Sequence, residues 1–284
     1  MLKMTVIGGV VLAAVTTNAL AVDTERGAYL ATTIGDCGGC HTPRDAAPQI
    51  IPNMTMAGGE EFDVPGLGHV IVPNITPDPD TGIGKWSESQ IVNALRNGKR
   101  PDGKLISPPM PIPVYRQTSD NDAIAIAAYL KGLTPVHHVV PRMELQIALP
   151  PDYGPEVTHV DEPDPTNKVA YGRYLVAIGH CVLCHTPAFK DGPPDMGRAF
   201  SGGRELPDSE QAGAFTVSRN ITSDPINGIG KWSDEEIKAS LTECIRPDRT
   251  KLHTMPCDAY FNITSNDLDA IVAFLRTVPA VKNP

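Results

Sequence analysis

Cys37-Gly38-Gly39-Cys40-His41 and Cys181-Val182-Leu183-Cys184-His185 are two Cys-x-x-Cys-His pentads in one chain. That spacing is the attachment signature for c-type haem. The two thiols add across the porphyrin vinyl groups. Two intervening residues on a helical turn place both sulfurs along one haem edge, and the next histidine faces the iron. A bare Cys-x-x-Cys has two other readings. A zinc site wants two more ligands at matching spacing, and a dithiol redox pair has no use for the histidine. The pentads predict two covalently bound c-type haems (Fe), with His41 and His185 as iron ligands.

The sixth ligand separates carrier from enzyme. Methionine opposite histidine saturates the iron and raises its potential, which suits electron transfer. Met110 lies 69 residues after His41, in Ser107-Pro108-Pro109-Met110-Pro111, and Met255 lies 70 after His185, in His253-Thr254-Met255-Pro256. Prolines beside each methionine stiffen its loop. The alternative is two gap-filling methionines. Met54, Met56, Met143 and Met196 have no counterpart of their own, and among the unpaired histidines only His253 is a rival ligand.

The pairing reflects an internal repeat. The loop Asn74 to Trp86 recurs as Asn220 to Trp232, with ten of thirteen positions identical. Tyr29-Leu30 matches Tyr174-Leu175, Arg100-Pro101-Asp102 matches Arg246-Pro247-Asp248, and Met110-Pro111 matches Met255-Pro256. Each copy reads as three main helices between Pro/Gly-rich loops. The first helices are expected at Thr24 to Ile34 and Asn167 to Ile178, with Gly35 and Gly179 as terminators, Gly35 left-handed. The second begin at capping boxes, Ser87 with Gln90 and Ser233 with Glu236. Ile91 and Leu95, or Ile237 and Leu241, form their buried stripes. The third cover Ser119 to Lys131 and Ser265 to Thr277. Strand signals are almost lacking.

The expected architecture is all-α, with two tandem domains, each wrapping about three main helices around a covalent haem. Residues 22–134 form the first and 166–284 the second, joined by an extended Pro-rich linker, 135–165, with an apolar patch from Met143 to Leu149. Aromatic content is only 5% against 25 glycines and 28 prolines, so a porphyrin would fill interiors that side chains alone fill thinly.

Residues 1–21 read as a secretory signal. Lys3 supplies the positive end, Val6 to Val15 the apolar run, and Ala19-Leu20-Ala21 the cleavage site. An uncleaved anchor is the alternative, but the run is short and broken by Thr16, Thr17 and Asn18. The expected location is the periplasm, with cleavage after about Ala21 and no transmembrane segment in the mature chain. The mature chain carries 23 basic and 33 acidic side chains. That charge argues against nucleic acid and permits docking to a basic patch on a protein. It equally fits a solvated surface.

Cys244 and Cys257 have no equivalents in the first copy, where Gly98 and Ile112 stand. In an oxidising compartment they are expected to pair and brace the Met255 loop. Free thiols are the alternative. Trp86 and Trp232 each close the repeated loop. An indole N–H can only donate, so a haem propionate is a candidate acceptor, as it is for Asn74, Asn220 and Arg219. Plain packing explains the tryptophans as well.

With these residues in hand, both halves resemble the class I cytochrome c domains in cytochrome subunits of bacterial alcohol, gluconate and aldehyde dehydrogenases. Cys37 to Pro43, Asn74 to Trp86, Leu95 to Leu105, Pro108 to Pro113 and the stretch Pro135 to Pro141 carry the resemblance. It implies His41/Met110 and His185/Met255 ligation, and an electron relay between a periplasmic dehydrogenase and an oxidase or cytochrome acceptor. Those subunits usually hold three haems; this chain has two pentads. The readings that remain beside a carrier are a dihaem peroxidase or thiosulfate dehydrogenase, and a fixed, non-catalytic subunit of a dehydrogenase complex.

Overall fold

The computed structural model describes residues 22–282 except 46–48, 65–66, 142–144, 146–147, 190–192 and 209–213. The expected signal sequence, residues 1–21, and Met143 therefore lie outside the described residues. The chain is mostly helical. Helix α1 (Thr24–Tyr29) runs into a π-helical segment (Leu30–Ile34), followed by α2 (Cys37–His41), the strands β1 (Glu61–Val64) and β2 (Gly68–Ile71), and helices α3 (Glu88–Asn97), α4 (Ile112–Tyr115) and α5 (Asp120–Gly132). The order then recurs. It gives α6 (Lys168–Ile178), α7 (Cys181–Cys184), a 3₁₀ turn (Met196–Arg198), β3 (Glu205–Pro207), β4 (Phe215–Val217), α8 (Asp234–Thr242), α9 (Cys257–Tyr260) and α10 (Ser265–Leu275).

Local chemistry sets the helix starts. Ser87 and Ser233 accept from the backbone N–H of Gln90 and Glu236, whose side chains bond back to the serine N–H, so both capping boxes form. Ile91 and Ile237 are buried beneath them. Ser119 and Thr264 cap α5 and α10 by accepting from the N–H of Asp122 and Asp267. The first helix packs on the last of each copy through glycine. A Cβ on Gly27 would lie 2.0 Å from the Ala125 carbonyl oxygen, and one on Gly172 would lie 1.8 Å from that of Ala270. Leu30, Ile34, Leu175, Ile237 and Val272 belong to one continuous core that draws on both copies.

Three expectations need correction. First, Gly35 ends its helical stretch as Gly179 does, but it is not left-handed. Gly35 and Gly179 have φ of −86° and −71°. The left-handed residues follow them, Asp36 at 40° and His180 at 43°. Second, the first helix is not uniform. From Tyr29 to Cys37 is eight residues, but from Tyr174 to Cys181 it is seven. The π-helical segment absorbs the extra residue, with Gly35 N–H donating to Leu30 O five residues back. Third, strands exist. The pairs β1–β2 and β3–β4 are short antiparallel hairpins with registers Phe62↔Val70 and Leu206↔Thr216. Their strands are too short to show alternation.

Between α5 and α6 no described residue is in a helix or strand. The segment lies along the first copy. Val136 O accepts from Asn74, Tyr153 O–H donates to Ile106 O, and Val157 N–H donates to the Asn97 side chain.

Candidate metal centres

Each pentad begins a short helix behind a left-handed residue. In the first, Asp36 caps α2 by accepting from Gly39 N–H at 3.1 Å. Burial pushes the Asp36 carboxyl up to about 6. Thr42 and Thr186, directly after the histidines, are fully enclosed, and their hydroxyls accept from the N–H of Met56 and Phe200.

The two histidines are held alike. His41 Nδ1 lies 2.9 Å from Pro73 O, and His185 Nδ1 lies 2.7 Å from Arg219 O. A carbonyl oxygen can only accept, so Nδ1 carries the proton and Nε2 presents its lone pair. Burial holds both rings below the ordinary imidazole pKa, which keeps them neutral at pH 7. An oriented neutral imidazole backed by a carbonyl is the usual dress of a metal-binding histidine.

Sequence reasoning missed the glycines that make this possible. The N–H groups of Gly58 and Gly202 donate to the carbonyls of His41 and His185, both at 2.7 Å. Both glycines have φ of 72°, and a Cβ on either would lie 2.4 Å from the carbonyl carbon of Pro73 or Arg219. Only glycine lets the chain pass between the histidine and its acceptor strand. The matched Gly58-Gly59 and Gly202-Gly203 pairs were the available signal.

Cys37, Cys40, Cys181 and Cys184 are outside any disulfide. Burial pushes the Cys37 and Cys181 thiols up to about 12 and Cys40 to about 11. Zinc binding and dithiol exchange both use thiolates. Among the described residues no group of three or more His, Cys, Asp and Glu is gathered to hold a metal ion. Met110 and Met255 are partly buried and pack on the common core. Each precedes a one-turn helix, and Ile112 N–H and Cys257 N–H donate to their carbonyls. Paired free thiols, a histidine with Nε2 available and a core-packed methionine fit a c-type haem in both copies.

Cys244 and Cys257 form a disulfide, with Cα atoms 5.7 Å apart. Trp86 and Trp232 are partly buried against the core. Their carbonyls accept from Lys131 and Arg276, so the third helix pins each repeated loop. Asn74 and Asn220, expected near a propionate, are occupied in the loop itself. Each accepts from the N–H and O–H of the threonine two residues on and donates to Val136 O or Val281 O. The Arg219 carbonyl is the acceptor for His185.

No family model matches the chain. It is 30% identical over 87% of its length to a dihaem cytochrome c-type protein of Cereibacter sphaeroides, covering 83% of that protein. It is 31% identical over 90% of its length to the cytochrome c subunit of a quinone alcohol dehydrogenase of Gluconacetobacter polyoxogenes. Over the same share it is 32% identical to a fructose dehydrogenase cytochrome subunit of Gluconobacter japonicus. The chain spans about half the length of these two subunits, 56% and 52%. It belongs to this family of c-type cytochromes.

Proposed function

We propose that the chain is a periplasmic electron carrier built of two tandem domains, 22–134 and 166–284, joined by the 135–165 segment and each holding one haem. Cys37 and Cys40 hold one group covalently and Cys181 and Cys184 the other. His41 with Met110, and His185 with Met255, would supply the donors that hold the iron. Bound there, the group supplies a one-electron iron couple. His41 and His185 present Nε2, fixed by their Nδ1 bonds to Pro73 and Arg219. The methionine loops exclude water and competing ligands, which favours a carrier over a peroxidase. Trp86 and Trp232 close the repeated loops 74–86 and 220–232, and the Cys244–Cys257 disulfide braces the Met255 loop. The observation that carries this reading is the matched donor set, alike in type in both copies, with each histidine backed through Nδ1 by a backbone carbonyl.

The partners proposed are a periplasmic dehydrogenase as donor and a respiratory cytochrome or oxidase as acceptor. Similarity to cytochrome subunits of alcohol and fructose dehydrogenases supports the donor class. It equally favours a permanent place in such a complex, which co-purification of a dehydrogenase would establish. No helix among the described residues is long and apolar enough to cross a membrane.

Visible spectroscopy tests the assignment. The oxidised protein should be low-spin with a methionine–iron charge-transfer band. Met110→Ala and Met255→Ala should each remove part of it and together all of it. A high-spin wild-type haem that turns over peroxide would overturn the carrier reading.

A further inference from the structure

The two copies meet through a reciprocal set of contacts. Tyr29 O–H donates to Asp267 Oδ2 at 2.7 Å, and its counterpart Tyr174 donates to Asp122 Oδ2 at 2.6 Å. Each hydroxyl also accepts a backbone N–H across the interface, from Thr264 and Ser119 respectively, both at 3.2 Å. Residue i of one copy meets j of the other, and j meets i, as in a two-fold dimer interface. The symmetry breaks at one point. Arg26 holds Asp122 through two bonds of 3.0 Å and lies 4.0 Å from Asp267, so one cation serves both carboxylates. Tyr171 stands at the equivalent position in the second copy.

The helices that carry the tyrosines lead into the pentad helices. From Tyr29 the chain runs through the π-helical segment to Cys37, and from Tyr174 along α6 to Cys181. At that end the copies touch again. His180 Nε2 lies 3.3 Å from Gly35 O, its ring meets Tyr115 edge-on at 6.5 Å, and a Cβ on Gly179 would lie 3.3 Å from Ile34 O. The residues that precede Cys37 and Cys181 are thus packed against each other.

Resting on the two-haem reading, we propose that Tyr29–Asp267 and Tyr174–Asp122, keyed by Arg26, are positioning residues that fix the spacing of the two pentads and hence the electronic coupling between the groups attached there. The polar lock sits on the two helical stretches that lead into the pentads, each joined to its pentad helix through one left-handed residue, Asp36 or His180. A change at the lock therefore moves the pentads relative to each other without touching either donor set. With the extra residue taken up in the π-helical segment, both Tyr29 and Gly35 meet the second copy.

Circular dichroism in the Soret region of the haem-loaded protein reads this coupling. Two like chromophores held close split their shared transition into a bisignate couplet, whose amplitude follows separation and orientation. The wild type should show the couplet. Tyr29→Phe combined with Tyr174→Phe removes both hydroxyls and keeps both rings. It should lose the couplet while retaining two haems per chain and the methionine band. Asp267→Asn, which keeps an oxygen to accept from Tyr29, should retain it. If the double variant does not fold, the two single variants are read in the same way. A wild type with two haems and no couplet, or Phe variants that lose thermal stability with the couplet unchanged, would overturn the proposal. Fewer than two haems on the wild type would instead overturn the function on which it rests.

Discussion

Alanine at Gly27 or Gly172 sets two known effects against each other. Both glycines lie inside helices, where alanine is favoured by about 1 kcal/mol. Both also face the backbone of the partner helix. The added Cβ at Gly27 would lie 2.0 Å from Ala125 O and 2.4 Å from its carbonyl carbon; at Gly172 the distances to Ala270 are 1.8 and 2.4 Å. The obstructing atoms are helix backbone, which cannot rotate aside as a side chain can, so the helices must part by an ångström or more. Overpacking of a close-packed core costs about 1–3 kcal/mol, and an overlap this deep belongs at or above the upper end. The clash wins, leaving a net loss of about 2 kcal/mol or more for each variant. At roughly 2–4 °C per kcal/mol for a chain of this size, the midpoint should fall by several degrees. Thermal unfolding of the haem-loaded protein, followed in the far-ultraviolet, measures it. Gly132→Ala is the control. Gly132 ends α5, and a Cβ there meets nothing within 4 Å, so that variant should be neutral or slightly stabilising. If Gly27→Ala and Gly172→Ala are also neutral or stabilising, the close crossing of first and last helix in each copy is wrong.

Asp36→Asn should stabilise the protein in a pH-dependent way. The Asp36 carboxyl titrates near 6 in the folded chain against an ordinary value of 3.8, because burial disfavours its charge. The folded state thus binds the proton more tightly. Stability is fully present below pH 4 and is lost as pH rises through 6. Asparagine keeps the oxygen that accepts from Gly39 without the charge. Its advantage should be near zero at pH 4 and on the order of 2 kcal/mol at pH 7, in denaturant titrations at the two values. An equal effect at both would refute the burial argument. Cys244→Ser with Cys257→Ser opens a link between residues 13 apart and should cost about 2–4 kcal/mol by the same titration. No loss would mean that the link does not form in the native protein. Gly58→Ala and Gly202→Ala place a side chain at φ of 72° and against the carbonyl carbon of Pro73 or Arg219. Each should weaken the methionine–iron band of its own copy by tilting the histidine, and a spectrum unchanged in both would contradict the support assigned to those glycines.

Chemistry that depends on adjacent residues was legible in the sequence. The pentads, the capping boxes at Ser87 and Ser233 and the Cys244–Cys257 candidates each span a short stretch, so residue type and spacing carry them. What escaped depends on distant backbone. The φ of Gly58 matters because Pro73 passes beside it, and the matched glycine pairs signal a need for glycine without saying which segment passes there. The hairpin Glu61–Val64/Gly68–Ile71 is too short for alternation to stand out. The left-handed turn falls on Asp36 and His180, one residue after the glycines, while Gly35 and Gly179 themselves stay right-handed. The one-residue difference between Tyr29–Cys37 and Tyr174–Cys181 was visible in the numbering. Its meaning required the five-residue bond from Gly35 to Leu30. The Tyr–Asp reciprocity joins residues 238 and 52 apart and could not be read from local pattern.

The central claim is that each copy binds its own haem through its own pentad. Intact mass spectrometry of the exported protein under denaturing conditions tests it most directly, because a thioether-linked haem stays with the chain. The mass should exceed that of the processed polypeptide by two haems. Cys37→Ala with Cys40→Ala, or Cys181→Ala with Cys184→Ala, should each bring it down by one. A wild-type mass carrying one haem or none, or a pentad variant that still carries two, would contradict the account.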